Sequence, residues 1–253
     1  MTTVTLIVPC YNEANRLDVD ALGVALDRYD ELQLLLVDDG STDRTLDTLR
    51  AAAVSHPART HVLPLPRNVG KAEAVRLGLR QALAAHPDFV GYWDADLATP
   101  FEALSDFLTV FEYQPHLEVV IGSRVQLLGR HITRSTMRHY AGRVFATCAS
   151  LVLWLPVYDT QCGAKLFRAT PALARILDQP FTTRWIFDVE LLARYLDAAR
   201  EDGRRGPQLI YELALKTWTD QPGSKVRGSD GVRAALDLWH IYRNRPRGPN
   251  TAR

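Results

Sequence analysis

Apolar residues in the first half of the chain fall into two alternating patterns. Short continuous runs, VTLIVP (4–9), LQLLLVDD (32–39), THVLPL (60–65), FVGYWDAD (89–96) and LEVVIGS (117–123), alternate with longer segments whose apolar positions recur at helical spacing. Runs without polar alternation predict strands buried on both faces, as in a parallel sheet covered by helices. The segments between them predict helices over 17–29, 41–54, 69–85 and 101–113, the first with Leu17, Leu22 and Leu26 on one face. Ser41 or Thr42 would cap the second helix, with Asp43 near its positive end. Such alternation predicts an α/β fold with a Rossmann-like, mostly parallel sheet flanked by helices.

The second half is less regular. A long helix is expected over 135–155, with Arg138, His139 and Arg143 near its start. DTQCGAKLF (159–167) is a glycine-containing loop leading into a strand-like run, RWIFDVELLARYL (184–196) is helical, and PQLIYELALKTW (207–218) gains strand character toward its end. These features suggest one domain over 1–218, with a nucleotide-binding half (1–124) and an acceptor half (125–218). A flexible loop, a C-terminal helix and a basic tail follow over 219–253.

In open parallel sheets, ligands bind at the carboxyl ends of the strands. The polar clusters PCYNE, DDGSTD, DADLATP and GSR each follow directly on a strand. DADLATP taken alone reads first as a polar turn before a helix opened by Pro100. The recurrence at strand ends makes Asp94 and Asp96 a candidate metal site instead, since paired hard oxygens suit Mg²⁺ or Mn²⁺ and, through it, substrate phosphates. No GxGxxG follows the first strand and no Walker A loop is present, so dinucleotide and P-loop chemistry are not expected. Pro9, Tyr11 and Glu13 suit packing and hydrogen bonding to a flat base, while Asp38 and Asp39 can accept hydrogen bonds from a base or ribose.

Composition changes this picture little. The chain has 253 residues and a formal net charge of +1, which gives no general attraction to nucleic acid. Three cysteines without metal-site spacing fit a reducing, cytoplasmic setting. The N-terminus lacks a basic n-region and a cleavage site, so no signal peptide is expected. The longest apolar stretch, 144–158, is too short to span a bilayer and contains Pro156.

VPCYNE, VDDGSTD, NVGKAEAVRLG, DADLATP, GSR, DTQCGAKLF, RWIFDVELL and GSKV occur in this order over residues 4–243. In that order they resemble family 2 glycosyltransferases of the GT-A (nucleotide-diphospho-sugar transferase) fold. The later motifs look most like the dolichyl-phosphate β-glucosyltransferase branch, with polyprenyl-phosphate mannosyltransferases as near relatives. The resemblance implies a nucleotide-sugar donor contacted by Pro9, Tyr11, Glu13, Asp38, Asp39 and Lys71, and a metal held by Asp94 and Asp96. It places Arg124 and Arg138 where related enzymes hold the acceptor phosphate. Gln161 and Cys162 lie on a loop at the site, and Lys225 on a loop that would close over the diphosphate. Ala98 stands where some mannosyl relatives carry a metal-contacting Gln, which points to UDP-glucose.

The resemblance further implies an inverting transfer to a polyprenyl phosphate. A phosphate monoester acceptor is mostly ionised near pH 7 and attacks without a strong general base. A hydroxyl acceptor on a soluble metabolite or glycan would need one, and Asp159, Asp188 and Glu190 are the candidates. A non-catalytic nucleotide-sugar binder is a further alternative, for which the Asp94–Asp96 pair has no use. Access to a lipid would come from a peripheral membrane contact through 135–155, with Leu151, Val152, Leu153 and Trp154. Arg227, Arg233, Arg243, Arg245 and Arg247 would add attraction to anionic lipid. Oligomeric state is left open.

Overall fold

The computed structural model describes residues 2–133, 136–220 and 230–245; within helices, the side chains of 136–139, 141, 230 and 232 lie outside that description. The first half follows the predicted alternation: β1 (Val4–Cys10), α1 (Val19–Arg28), β2 (Leu32–Asp38), α2 (Thr45–Ser55), β3 (Thr60–Pro64), α3 (Lys71–Leu83), β4 (Phe89–Trp93), α4 (Ala103–Tyr113) and β5 (Val119–Ser123). After these come β6 (His131–Thr133), α5 (Thr136–Leu153), β7 (Ala164–Arg168), α6 (Pro171–Ile176), α7 (Phe187–Glu201), β8 (Ile210–Ala214), β9 (Thr217–Thr219) and α8 (Asp230–Asn244).

Seven strands form one sheet in the order β3-β2-β1-β4-β7-β5-β8, and β6 pairs with β9 in a second, two-stranded one. β1 to β4 run parallel, as do β5 and β8, but β7 enters antiparallel between β4 and β5. Its apolar pattern gives no direction, so the sequence predicts the strand without its reversal. One face is covered by α1, α2 and α4 through Leu26, Leu49, Leu104 and Phe107. The other is covered by α3, α5, α6, α7 and α8 through Val75, Ala149, Leu173, Leu192 and Ile241.

Two expectations change. The helix placed at 41–54 begins at Thr45, because Ser41 Oγ accepts from Asn12 N (3.0 Å) and ties the loop after β1 instead of capping α2. Asp43 takes the helix-start role, accepting from Thr45 N at 2.9 Å. Ala234, Leu238 and Ile241 of α8, the helix expected within 219–253, belong to the same core as α5 and α7. Strands β7 and β8 likewise interleave the two halves in a single sheet. Finally, Arg245 is buried, with Nη2 3.1 Å from Asp197 Oδ1 and Nη1 donating to the Val152 carbonyl, so it is no part of a basic tail.

Candidate active site

The parallel strands deliver their carboxyl ends to one edge, and hydrogen bonds stitch the loops there together. Asn12, in the left-handed region at φ 54°, accepts from Thr42 N through Oδ1 at 2.9 Å, and Glu13 N donates to Thr45 Oγ1 at 2.8 Å. Pro9 and Tyr11 are half-buried, Pro9 within β1 and Tyr11 just after it. Asp38 is buried and its Oδ1 accepts from Ser41 N.

Asp39 spans from the end of β2 to the start of α3. Its carboxylate accepts from Val69 N (2.7 Å), Gly70 N (2.9 Å) and Asn68 Nδ2 (3.1 Å). Burial, aided by the charge of Asp38, raises its pKa against these donors. Gly70 has φ 92°, a backbone state that a side chain would strain, and the turn it makes starts α3 at Lys71. Asp39 therefore sets the direction of Lys71, whose Nζ lies 2.5 Å from Asp94 Oδ1.

Asp94 and Asp96 follow β4. Asp94 N donates to the Gly163 carbonyl at 2.8 Å, fixing the carboxylates against the loop before β7. A Cβ on Gly163 would fall 2.0 Å from Asp94 Oδ2, so only glycine fits beneath that carboxylate. Asp96 Oδ1 accepts from Ala98 N at 3.1 Å. Burial and then the charge of Asp94 raise the Asp96 pKa. Burial lowers that of Lys71, but Asp94, Asp188 and Asp96 outweigh it and the net shift is upward. Among the described residues no three His, Cys, Asp or Glu groups form a complete metal cage.

Beneath this pair lies a buried triad. Lys165, fully buried on β7, donates to the Cys162 carbonyl (2.7 Å) and to Asp188 Oδ1 (2.6 Å), and Tyr92 of β4 donates to the same oxygen. Asp188, expected to be catalytic, is thereby committed to holding two donors. Asp159 is equally committed. It accepts from Arg124 Nε (2.6 Å), Nη2 (2.8 Å) and backbone N (3.1 Å), and from Gln161 N (3.0 Å). Burial would raise its pKa, but Arg124 overrides this and holds it at about 2. The pair in turn engages Arg124, which also lies over the Trp218 ring. Glu190 accepts from Thr182 N, Thr183 N and Arg194, which makes it a brace for the start of α7.

Near the Arg124–Asp159 pair, three buried polar atoms have no hydrogen-bond partner: Ser123 Oγ, Thr160 Oγ1 and Gln161 Nε2. Cys162 is packed and its thiol pKa is pushed up to about 11 by burial, so it is inert. The Arg138 side chain and all of Lys225 lie outside the described residues. Thr219 N donates to the Ala98 carbonyl, so the chain reaches residue 220 beside the DAD loop. A cavity of about 360 Å³, lined by Val19, His56 and Thr60 among others, lies between α1 and α2, away from this chemistry.

Sequence reasoning overlooked several residues here. Lys165 and Tyr92 carried a signal, as a lysine inside the apolar run AKLF and a hydroxyl inside FVGYW. Arg16 and Arg184 carried none. Arg16 pairs with Glu13 at 3.3 Å and its charge acts on Asp96, while Arg184 Nη2 would lie 3.2 Å from a Cβ on Gly70 and acts on Asp39.

The sheet order, with its reversed strand between β4 and β5, is that of the GT-A fold. The same fold is seen in glucosyl-3-phosphoglycerate synthase of Mycobacterium tuberculosis, solved with Mn²⁺ and UDP-glucose: TM-score 0.67, 18% identity, covering 98% of this chain and 81% of that one. The pattern described as Glycosyl transferase family 2 matches residues 5–172, and the chain belongs to that family. Among its relatives is a dolichyl-phosphate β-glucosyltransferase of Trichomonas vaginalis, 30% identical and matched over 94% of this chain and 70% of the relative. The Drosophila melanogaster enzyme of the same name is 32% identical, matched over 94% of this chain and 74% of its own length.

Proposed function

We propose that this chain transfers glucose from UDP-glucose to a polyprenyl phosphate of the dolichyl type, inverting the anomeric carbon. An acceptor phosphate oxygen forms the new bond to C1 of the sugar. The bond from C1 to the UDP oxygen breaks, and its electron pair leaves on the β-phosphate. No proton has to move, because the acceptor is already an anion. The activity of the relatives supports this reading, and so does one structural observation. The three candidate bases for a hydroxyl acceptor are each already engaged: Asp159 by Arg124, Asp188 by Lys165 and Tyr92, Glu190 by the 182–183 backbone and Arg194. A site whose candidate bases are engaged suits an acceptor that needs none.

The residues present fit a divalent cation. Burial and then the charge of Asp94 raise the Asp96 pKa, and among the described residues no third His, Cys, Asp or Glu joins the two carboxylates. Mg²⁺ and Mn²⁺ accept such a partial set, completing their shell with water and substrate phosphate oxygens. Bound there, the ion would supply positive charge against the leaving diphosphate. Lys71, Arg16 and Arg184 add cationic charge to the same edge. Pro9, Tyr11, Glu13 and Asp38 line the nucleoside end, with Gln161 Nε2 as a buried donor for the sugar or acceptor. Among the described residues no helix is long and apolar enough to cross a membrane; in this reading a peripheral contact brings the chain to its lipid acceptor.

The test is a transfer assay read by mass spectrometry. Purified protein receives Mg²⁺ or Mn²⁺, UDP-glucose or GDP-mannose, and a short water-soluble prenyl phosphate. Metal-dependent prenyl-phosphate-glucose that vanishes in Asp96→Ala is the expected result. Donor hydrolysis without lipid product would overturn the acceptor, and no turnover of any donor would favour a silent nucleotide-sugar binder.

A further inference from the structure

We infer that α5 and α8 together form a face that lies in the surface of an anionic lipid membrane. The inference rests on the lipid acceptor proposed above and says which surface reaches it. In α5, Ala146, Ala149 and Leu153 point into the core, while Val144 and Leu151 on the opposite side are each 68% exposed and Tyr140 is 67% exposed. In α8, Ala234, Leu238 and Ile241 are buried, while Leu236 (64%), Trp239 (61%) and Tyr242 (46%) face outward. The two helices pack against each other, and Arg245 joins their last turns by donating to the Val152 carbonyl at 2.8 Å and lying over Trp154. Two outward apolar stripes thus stand on neighbouring helices.

Charge and composition select lipid as the occupant. No Asp or Glu occurs in α5, which carries Arg138 and Arg143. On α8, Arg233 and Arg243 are exposed, whereas Asp237 is half-buried and lies in the fields of Arg233 and His240. Apolar stripes bearing Trp and Tyr and edged by arginine match a helix lying at the headgroup level of an anionic bilayer. The face also leads to the site: the Arg143 guanidinium lies 3.6 Å from the Tyr158 ring centroid, and Tyr158 precedes the Asp159 that holds Arg124. A lipid phosphate could therefore reach the edge of the sheet without leaving the membrane surface.

The test uses the full chain with vesicles of phosphatidylcholine alone or with about a third phosphatidylglycerol. Sedimentation and tryptophan emission report binding. Wild-type protein should bind the anionic vesicles with a blue-shifted emission and bind the neutral ones more weakly. Leu236→Glu/Trp239→Glu, and separately Leu151→Glu, should each lower apparent affinity by about tenfold or more. Both should keep wild-type circular dichroism and vesicle-free transfer to the short prenyl phosphate. Trp239→Phe should keep binding and lose most of the blue shift. Wild-type binding by the glutamate variants, or no binding by the wild type, would overturn the face. So would a wild-type dimer in ultracentrifugation that the glutamate variants abolish, since a second copy would then occupy it. Failure of the vesicle-free transfer in wild type would instead overturn the acceptor proposal, independently of vesicle binding.

Discussion

Lys71 Nζ lies 2.5 Å from Asp94 Oδ1, so one carboxylate of the acidic pair already has a cation against it before any metal arrives. An ion placed at Asp94 and Asp96 shares that carboxylate with Lys71 or displaces it. Lys71→Met leaves the two carboxylates facing each other without that charge. The expected outcome is Mn²⁺ binding several-fold tighter in the absence of donor, measured by calorimetry, together with transfer slower by about ten- to a hundredfold. Unchanged metal affinity would show that Lys71 and the metal do not compete.

Gly163 gives a second handle on the same carboxylate. A methyl group there meets Asp94 Oδ2 at 2.0 Å, and the Gly163 carbonyl also receives Asp94 N. Gly163→Ala must swing Asp94 aside. A displacement of this order typically costs about a hundredfold in rate. The loss should appear in kcat with Mn²⁺ or Mg²⁺ alike, while the helices and sheet remain intact by circular dichroism. Near-wild-type turnover would mean that Asp94 is not needed in its observed position.

Much of this site was legible before any coordinates. Continuous apolar runs ending in PCYNE, DDGSTD and DADLATP identified the parallel strands and the edge they serve, since a ligand edge must gather the polar residues that buried strands exclude. Roles within the edge were less legible. Asp39 and Asp188 have the composition of substrate contacts, yet their oxygens are taken by Val69, Gly70, Lys165 and Tyr92, partners separated from them by 23 to 96 positions. Sequence spacing carries no sign of such long-range pairing. Strand β7 shows the same limit: AKLF reads as buried strand in either direction, and its antiparallel insertion emerges only once β4 and β5 are placed beside it.

The Lys165–Asp188 pair separates a structural carboxylate from a catalytic base. Both side chains are buried, at 0% and 8% exposure. Lys165→Met leaves Asp188 without its counter-charge and should cost about 3–5 kcal/mol of stability. Lys165→Met/Asp188→Leu removes both charges and should recover most of that loss, as read by urea denaturation. Transfer should stay low in both, because the Cys162 carbonyl has lost the donor that anchors the loop carrying Gly163. Asp188→Asn should lower the melting temperature. A variant that instead lost all transfer at unchanged stability would restore Asp188 as a base.

The Arg124–Asp159 pair fixes how the protein responds to acid. Arg124 holds the buried Asp159 carboxyl at about 2, below the value of about 3.9 it has in an unfolded chain. As pH falls, the unfolded chain takes up this proton first, so the contribution is complete above about pH 4 and is lost between about pH 4 and 2. It amounts to roughly 3 kcal/mol, the difference between about 2 and about 3.9 at 1.36 kcal/mol per pH unit. Wild-type protein should therefore lose stability more steeply than Asp159→Asn across that window in urea titrations. Their difference should be constant from pH 5 to 7. A difference that keeps growing through neutral pH would mean that Asp159 titrates there and is not held by Arg124.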